Sequence, residues 1–496
     1  MSDIPDVVVV GAGSAGAVLA ARLSEDASRR VLLIEAGPDY RSADTPAALR
    51  GPNFSRALAL RAFRWPLLAR ATPAQRPRAY ACGRGVGGGS AVNGQLAVRP
   101  RPEDVARWPG WTWDRARALL AALEDDLDHG GEPGHGRHGP VPITRVPAAA
   151  WGPVSRALWD TPHPRHPDLN APDAAGLSPT TWNRRDGMRV STNDAYLEPA
   201  RDRPNLRVLG DTEVTRVLFR GRAATGVETA GPDGTRRVTA GQVVLCAGAV
   251  HTAALLLRSG IGPARDLRDL GLPRVADLPG VGAGLSDHPS ALLPLPLRPE
   301  ARAPSLDTVS GACVLRLPVT AGRDGLPGDV QILPLDRGLT TASGGLLVSL
   351  MRPVSTGRVR LRDGDPQTPP EVDLRLLTDP GDLARMREAL RHALRLARSA
   401  PFARVTPGPP PDIARLRDRP GDLDAWLLAT CGGHSHAAGT CRMGDPGDPA
   451  AVTDPAGRVL GVENLRVADL SLLPAPVGGP PHLTAVLLAE HLARAF

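Results

Sequence analysis

Asp6-Val7-Val8-Val9-Val10-Gly11-Ala12-Gly13-Ser14-Ala15-Gly16, continued by Val31-Leu32-Leu33-Ile34-Glu35, is the stretch that decides the fold. A run of β-branched residues such as Asp6–Val10 suits a short strand covered on both faces. Ala17, Leu19, Ala20 and Leu23 predict a helix from about Ser14 to Leu23, and Val31–Ile34 reads as a second strand. Between strand and helix stands G-x-G-x-x-G, with an acid nineteen residues after its last glycine. Gly11 permits a tight turn, Gly13 lets backbone approach a pyrophosphate, and Gly16 lets helix and strand pack closely. The helix opening, at Ser14 and Ala15, turns unpaired N–H groups toward phosphate. Glu35 suits the two ribose hydroxyls and disfavours a 2′-phosphate. The stretch therefore predicts a dinucleotide site and does not by itself separate NAD from FAD.

A second glycine-rich segment follows at Gly83-Arg84-Gly85-Val86-Gly87-Gly88-Gly89-Ser90-Ala91-Val92-Asn93-Gly94. Such density lets N–H groups face an anion without intervening side chains, and Arg84 is a candidate phosphate partner. A second phosphate loop suits the long, extended FAD better than NAD. A flexible linker would be richer in Ser and acids than this segment.

The chain of 496 residues is 42% apolar and only 3% aromatic, a length that suits two domains or one large composite with ample interior to bury a cofactor. All 59 basic residues are Arg, and the net charge is +7. The arginines are interleaved with acids, as between Asp412 and Asp424, which argues against nucleic acid as a partner. Five irregularly spaced cysteines (Cys82, Cys246, Cys313, Cys431 and Cys441) make no disulfide framework. No secretory signal precedes the first strand, and the longest apolar run, Val243–Leu257, is broken by Gly248 and His251. The expectation is a cytoplasmic protein without a transmembrane segment, with peripheral attachment to the inner face of the cell membrane left open. Cys431, His434, His436 and Cys441 are zinc-type ligands, but C-x2-H-x-H-x4-C matches no common closed site, so no metal is expected.

Beyond the two glycine loops, long motifs recur to the end of the chain. They are Gly248-Ala249-Val250-His251-Thr252-Ala253 running to Gly262, Leu278–Gly282 with Asp287-His288-Pro289, His436–Gly444, Leu465–Ser471 and Gly478–Glu490. In this order, with Gly83–Asn93, they resemble the glucose–methanol–choline (GMC) oxidoreductase family; Ala253 departs from it, standing where the family usually has Pro. Glu124–Asp128 and His135–Pro142 further resemble a mycofactocin-associated branch of that family.

The resemblance implies an α/β fold in which a Rossmann-like FAD-binding domain carries a second α+β substrate domain built on an antiparallel sheet. The FAD domain would comprise segments 1–145, 191–290 and 431–496, and the substrate domain segments 146–190 and 291–430. Glu213–Phe219, Thr225–Thr229, Arg237–Leu245, Leu346–Leu361 and Glu371–Leu376 read as strands, and Leu383–Arg398 as an amphipathic helix. The Pro-rich stretches Ala148–Pro179 and Val405–Pro411 read as loops.

An alcohol releases hydride readily only as its hydroxyl proton leaves, so the reaction needs a base near neutrality, a donor for the alkoxide and an electrophile beside the carbon. The resemblance implies His436 as base, His482 as its partner on the alkoxide, and flavin N5 as hydride acceptor. It further implies that Asn93, Gly94, Gln95 and Leu96 line the isoalloxazine, with Ser435, His482, Leu483 and Thr484 nearby. Val214 would meet the adenine and Asp469 the diphosphate–ribityl region. Val92 stands where some family members attach FAD through His, which implies noncovalent FAD. Pro480-Pro481 suit the first turn of a helix whose N-terminus would favour negative charge on reduced flavin. The implied partners are a small-molecule alcohol or a peptide-derived redox cofactor, reduced mycofactocin, with electrons passing to a non-oxygen acceptor such as the respiratory chain. An oxygen-using oxidase and a non-redox, hydroxynitrile lyase-like FAD protein are the alternatives. Pocket-closing residues are expected from Ala291–Thr430, around Pro304 and Gly344.

Overall fold

The computed structural model describes residues 4–318, 329–338, 340–416 and 419–496. Residues 319–328, 339 and 417–418, all within the expected pocket-closing stretch Ala291–Thr430, lie outside the described residues.

Five parallel strands form the first sheet. They are β1 (Val7–Val10), β2 (Val31–Ile34), β3 (Leu206–Leu209), β4 (Gln242–Leu245) and β5 (Leu465–Val467), in spatial order β3-β2-β1-β4-β5. β1 pairs Val7 with Val31 on one side and with Gln242 on the other. Every residue of β1 and β2 is buried, as a parallel sheet covered on both faces demands. α1 (Gly16–Leu23) leaves β1 through the glycine turn, α2 (Gly248–Arg258) leaves β4, and α3 (His482–Ala493) packs on α1. Glu490 locks the last of these helices to the first half of the chain. Its Oε1 accepts from Arg22 Nη2 at 2.8 Å and from Tyr196 Oη at 2.9 Å.

The second large sheet is antiparallel, in the order Gly432–Gly433, Pro289–Pro296, Ser343–Leu350, Val330–Leu335, Cys313–Leu317, Gly176–Pro179. Gly432–Gly433 opens the segment expected with the FAD domain, yet it pairs with Pro289 and Ser290 of this sheet.

Three local expectations are corrected. Arg237–Leu245 is not one strand: Gly234–Thr239 closes a three-stranded antiparallel sheet, and after Ala240-Gly241 the chain enters β4 of the parallel sheet. Leu346–Leu361 is likewise divided, into Ser343–Leu350 and Gly357–Arg360, with Pro353 between them unable to donate to a ladder. Ala148–Pro179 is not all loop. Pro153 opens a helix to Trp159, a first-turn position that costs no hydrogen bond, and Asp336 Oδ1 accepts from Val154 N and Ser155 N at that end. No described helix is long and apolar enough to cross a membrane.

Candidate functional site

The glycine loops meet where backbone must approach backbone. Gly11 has φ +95°, and its N–H donates to Ile34 O at 2.7 Å. A Cβ on Gly16 would fall on the Gly11 carbonyl, and one on Gly88 (φ +48°) would press on Gly13 Cα. Glu35 stitches these turns together: its carboxylate accepts from Ala12 N at 2.7 Å, Gly37 N at 2.9 Å and Gly85 N at 2.8 Å. The result is a cavity of about 680 Å³ that runs from this cradle to the face of the antiparallel sheet.

Gly11, Gly13, Ser14, Ala15, Glu35, Gly89, Asn93, Gly94, Leu96, Val214, Ser435, His436, Asp469 and His482 all line this cavity. Six expected residues do not: Gly16, Arg84, Gly87, Gln95, Leu483 and Thr484. Gly16 acts by lacking a side chain, and Gly87 N holds Ala12 O at 2.8 Å, so both shape the cradle from behind. Arg84, expected at a phosphate, is engaged with the protein. Its Nη2 donates to Ala36 O at 2.6 Å, and its guanidinium sits 5.5 Å from the Trp65 ring centroid. Gln95, with φ +64°, spends its amide on Gly51 O and Arg184. Leu483 and Thr484 are fully buried inside the first turn of α3.

At the other end of the cavity, Asp287 anchors the loop that carries His436. Its buried carboxylate accepts from His434 N (3.1 Å), Ser435 N (3.1 Å), His436 N (3.0 Å), His288 N (2.7 Å) and Tyr80 Oη (2.7 Å). Ser435 takes φ +60° within this grip. Burial pushes Asp287 up to about 6, against the pull of those donors.

Three imidazoles then converge. His434 stacks on His436 with centroids 5.1 Å apart, and Ser349 Oγ lies 2.6 Å from His434 Nε2. His436 Nδ1 lies 2.8 Å from His288 Nδ1, while His288 Nε2 lies 2.9 Å from Val477 O. A carbonyl only accepts, so His288 carries its proton on Nε2, and its Nδ1 is an acceptor. His436 must therefore donate from Nδ1, which leaves its Nε2 with a free lone pair. Burial holds all of these rings neutral: it lowers His288 to about 3, His434 to about 4 and His482 to about 4, and takes His436 well below the ordinary value of 6.5.

In the sequence Asp287-His288 stands only as part of a recurring motif, and nothing there marks Tyr80 or Ser349. The one available signal was the D-H-P triplet. Its two partners at the site, the loop at 434–436 and Tyr80, lie far away in sequence.

The cavity fits FAD on chain chemistry alone. It joins a glycine cradle at a helix N-terminus to buried polar atoms without partners among the described residues, His482 Nδ1 and His251 Nε2. His251 lies against Trp65 with centroids 4.1 Å apart. Two ligand-type clusters occur among the described residues, Asp287–His288–His436 and Glu124–Asp126–His135, and neither includes Cys431 or Cys441.

Comparison with known proteins agrees with this geometry. Models described as GMC oxidoreductase match residues 5–290 and 353–489. The chain is 37% identical to a 5-(hydroxymethyl)furfural oxidase of Methylovorus sp. (strain MP688), over 99% of this chain and 98% of that one. It is 33% identical to a pyridoxine 4-oxidase of Microbacterium luteolum, over 99% of both. It superposes on the crystal structure of pyridoxine 4-oxidase from Mesorbium loti with a TM-score of 0.91 at 31% identity, covering 99% of each chain. The protein belongs to the GMC oxidoreductase family, whose members are FAD-dependent alcohol oxidoreductases.

Proposed function

We propose that this chain oxidises an alcohol with His436 as the base and His482 as the partner on the developing alkoxide. One observation carries the reading: His436, its Nδ1–H committed to His288, presents an unprotonated Nε2 in the same cavity as His482 and the glycine cradle. Bound FAD supplies the hydride acceptor, N5 of its isoalloxazine. The cradle around Gly11, Gly13 and Glu35 would hold its nucleotide, and Asn93, Gly94 and Leu96 its ring. Val92 lines the cavity with no nucleophilic atom, which supports noncovalent attachment.

Nε2 of His436 takes the hydroxyl proton and pushes electrons onto the carbon, while His482 donates to the oxygen in a site of fixed dipoles. α3 points its N-terminal turn at the cavity through His482 and Ala485, so unpaired N–H groups favour negative charge that gathers there.

Oxygen as electron acceptor is favoured by the relatives named as oxidases. The alternative of reduced mycofactocin as substrate, feeding a non-oxygen acceptor, rests on Glu124–Asp128 and His135–Pro142. Those residues line no part of the cavity; Glu124 and Asp126 instead join Arg99, His135, Arg145 and Asp168 in an ion-pair network. Anaerobic mixing of the FAD-loaded protein with a panel of alcohols, reduced mycofactocin included, tests both. Bleaching of the flavin supports alcohol oxidation, and fast recolouring in air supports an oxidase. Cleavage of a cyanohydrin with no bleaching by any alcohol would replace this reading with a non-redox lyase.

A further inference from the structure

On the strand Val330–Leu335 and its continuation, alternate residues face the cavity: Gln331, Leu333, Leu335 and then Arg337. This row is a depth ruler. Gln331 pairs opposite Ser349, the residue that touches His434, so it marks the level of the histidines. Leu333 pairs opposite Leu347, also in the wall. Arg337 stands six residues beyond Gln331, roughly 20 Å along an extended chain. Between the two levels this row presents Leu333 and Leu335, and Leu292, paired opposite Leu347, also lines the cavity.

Arg337 is only 8% exposed, and among the described residues its side chain hydrogen-bonds from Nε to Thr308 O at 3.1 Å. No carboxylate of the described residues pairs with it, because the two nearby acids are engaged elsewhere. Asp307 pairs with Arg56 at 2.8 Å, and Asp336 caps the helix at Pro153. Arg184, also in the wall and 5% exposed, likewise lacks a carboxylate partner and rests on the Trp182 ring at 4.1 Å. The carboxylates that do line the cavity, Glu35, Glu213 and Asp469, stand on the elements of the nucleotide cradle. Asp307 and Asp336 act on Arg337 only from a distance, so a guanidinium this deep that no carboxylate bridges keeps Nη donors to offer, and they match an oxyanion.

We infer that the substrate is an amphiphilic alcohol: a hydroxyl at one end for His436, an apolar body along Leu333 and Leu335, and an anionic group at the far end received by Arg337. This rests on the alcohol-oxidising reading above and adds the substrate class to it. Carboxylate and phosphate share the required chemistry, and the test separates them.

The experiment compares ω-hydroxydecanoate, its methyl ester, decanediol monophosphate and decanol as anaerobic reductants of the FAD-loaded protein. In parallel, decanoate and methyl decanoate, which have no hydroxyl to oxidise, are titrated against the flavin absorbance. The anionic compounds should bind roughly tenfold or more tighter than their neutral counterparts, the scale of a charged hydrogen-bonded pair. The tighter of the carboxylate and phosphate arms names the natural group. In Arg337→Gln the ratio of acid to ester should collapse toward one, and Arg337→Lys should restore part of it. Equal binding of acid and ester by the natural chain, or an unchanged ratio in Arg337→Gln, overturns the inference. Should that variant not fold, the natural chain decides: a preference that falls with added salt supports the ion pair, and one indifferent to salt overturns it. If none of the alcohols bleaches the flavin, the alcohol-oxidising reading fails, while the decanoate titration still reports on Arg337.

Discussion

His436 and His288 share a single proton between like atoms: Nδ1 faces Nδ1 at 2.8 Å, and the direction of donation is set by Val477 O, 2.9 Å from the other nitrogen of His288. One backbone carbonyl thus chooses the tautomer of a ring it does not touch. Removing His436 should therefore cost more than removing His288. His436→Ala is expected to slow flavin reduction by roughly 10²–10⁴-fold, the range for a general base, with FAD content unchanged. His288→Leu should slow it less, and His288→Asn, whose amide oxygen can accept, should recover part of the loss. Stopped-flow reduction under anaerobic conditions measures all three. Equal rates in His436→Ala and the natural chain would remove the base assignment.

The pH profile follows from burial. An isolated histidine would make the rate rise through 6.5, but burial lowers His436 well below that value. The ring is then already unprotonated at neutrality. The expected profile of flavin reduction is flat from about pH 6 to 8 and falls only in acid. An inflection at or above 6.5, with chemistry rate-limiting, contradicts the buried neutral ring.

Acid should also unfold the protein. His288, His434 and His482 have folded values near 3, 4 and 4 against 6.5 for a free ring, so the unfolded chain binds protons first. Their stabilisation is complete above 6.5 and is lost as pH falls toward the folded values, at roughly 1.4 kcal/mol per pH unit for each ring. Five carboxylates that burial raises, Asp287 (to about 6), Glu213, Asp329, Asp336 and Asp469, work in the opposite sense toward the acid end of that range, against eight rings that burial lowers, His163, His251, His392, His436 and His491 among them. The Tm of the FAD-loaded protein should fall clearly between pH 7 and 5. A constant or rising Tm would refute the depressed values.

Gly16→Ala tests the cradle apart from the chemistry. The new methyl would collide with the Gly11 carbonyl, a backbone atom that cannot swing aside. The purified variant should be colourless or retain little FAD, while an exposed change just past the end of the same helix, Glu25→Ala, should leave the flavin in place. Full flavin content in Gly16→Ala would show that the turn tolerates what its geometry forbids.

The sequence alone determined what depends on neighbours in the chain. G-x-G-x-x-G, the valine strand and Glu35 declare a nucleotide turn, because a tight turn, a close backbone approach and a helix N-terminus are demands made within thirty residues. The late histidines were legible only through long motifs in family order. Tertiary structure decided the rest. That Arg84 lies over Trp65 and donates to Ala36 O is visible only in the fold. His288 becomes the partner of His436 across 148 positions. Arg337 acquires its depth in the cavity, six residues beyond Gln331, only once Val330–Leu335 is paired in register with Ser343–Leu350. Local backbone rules are written residue by residue, whereas proton direction, counter-ion and depth belong to pairs of side chains that only the packed sheets bring within reach.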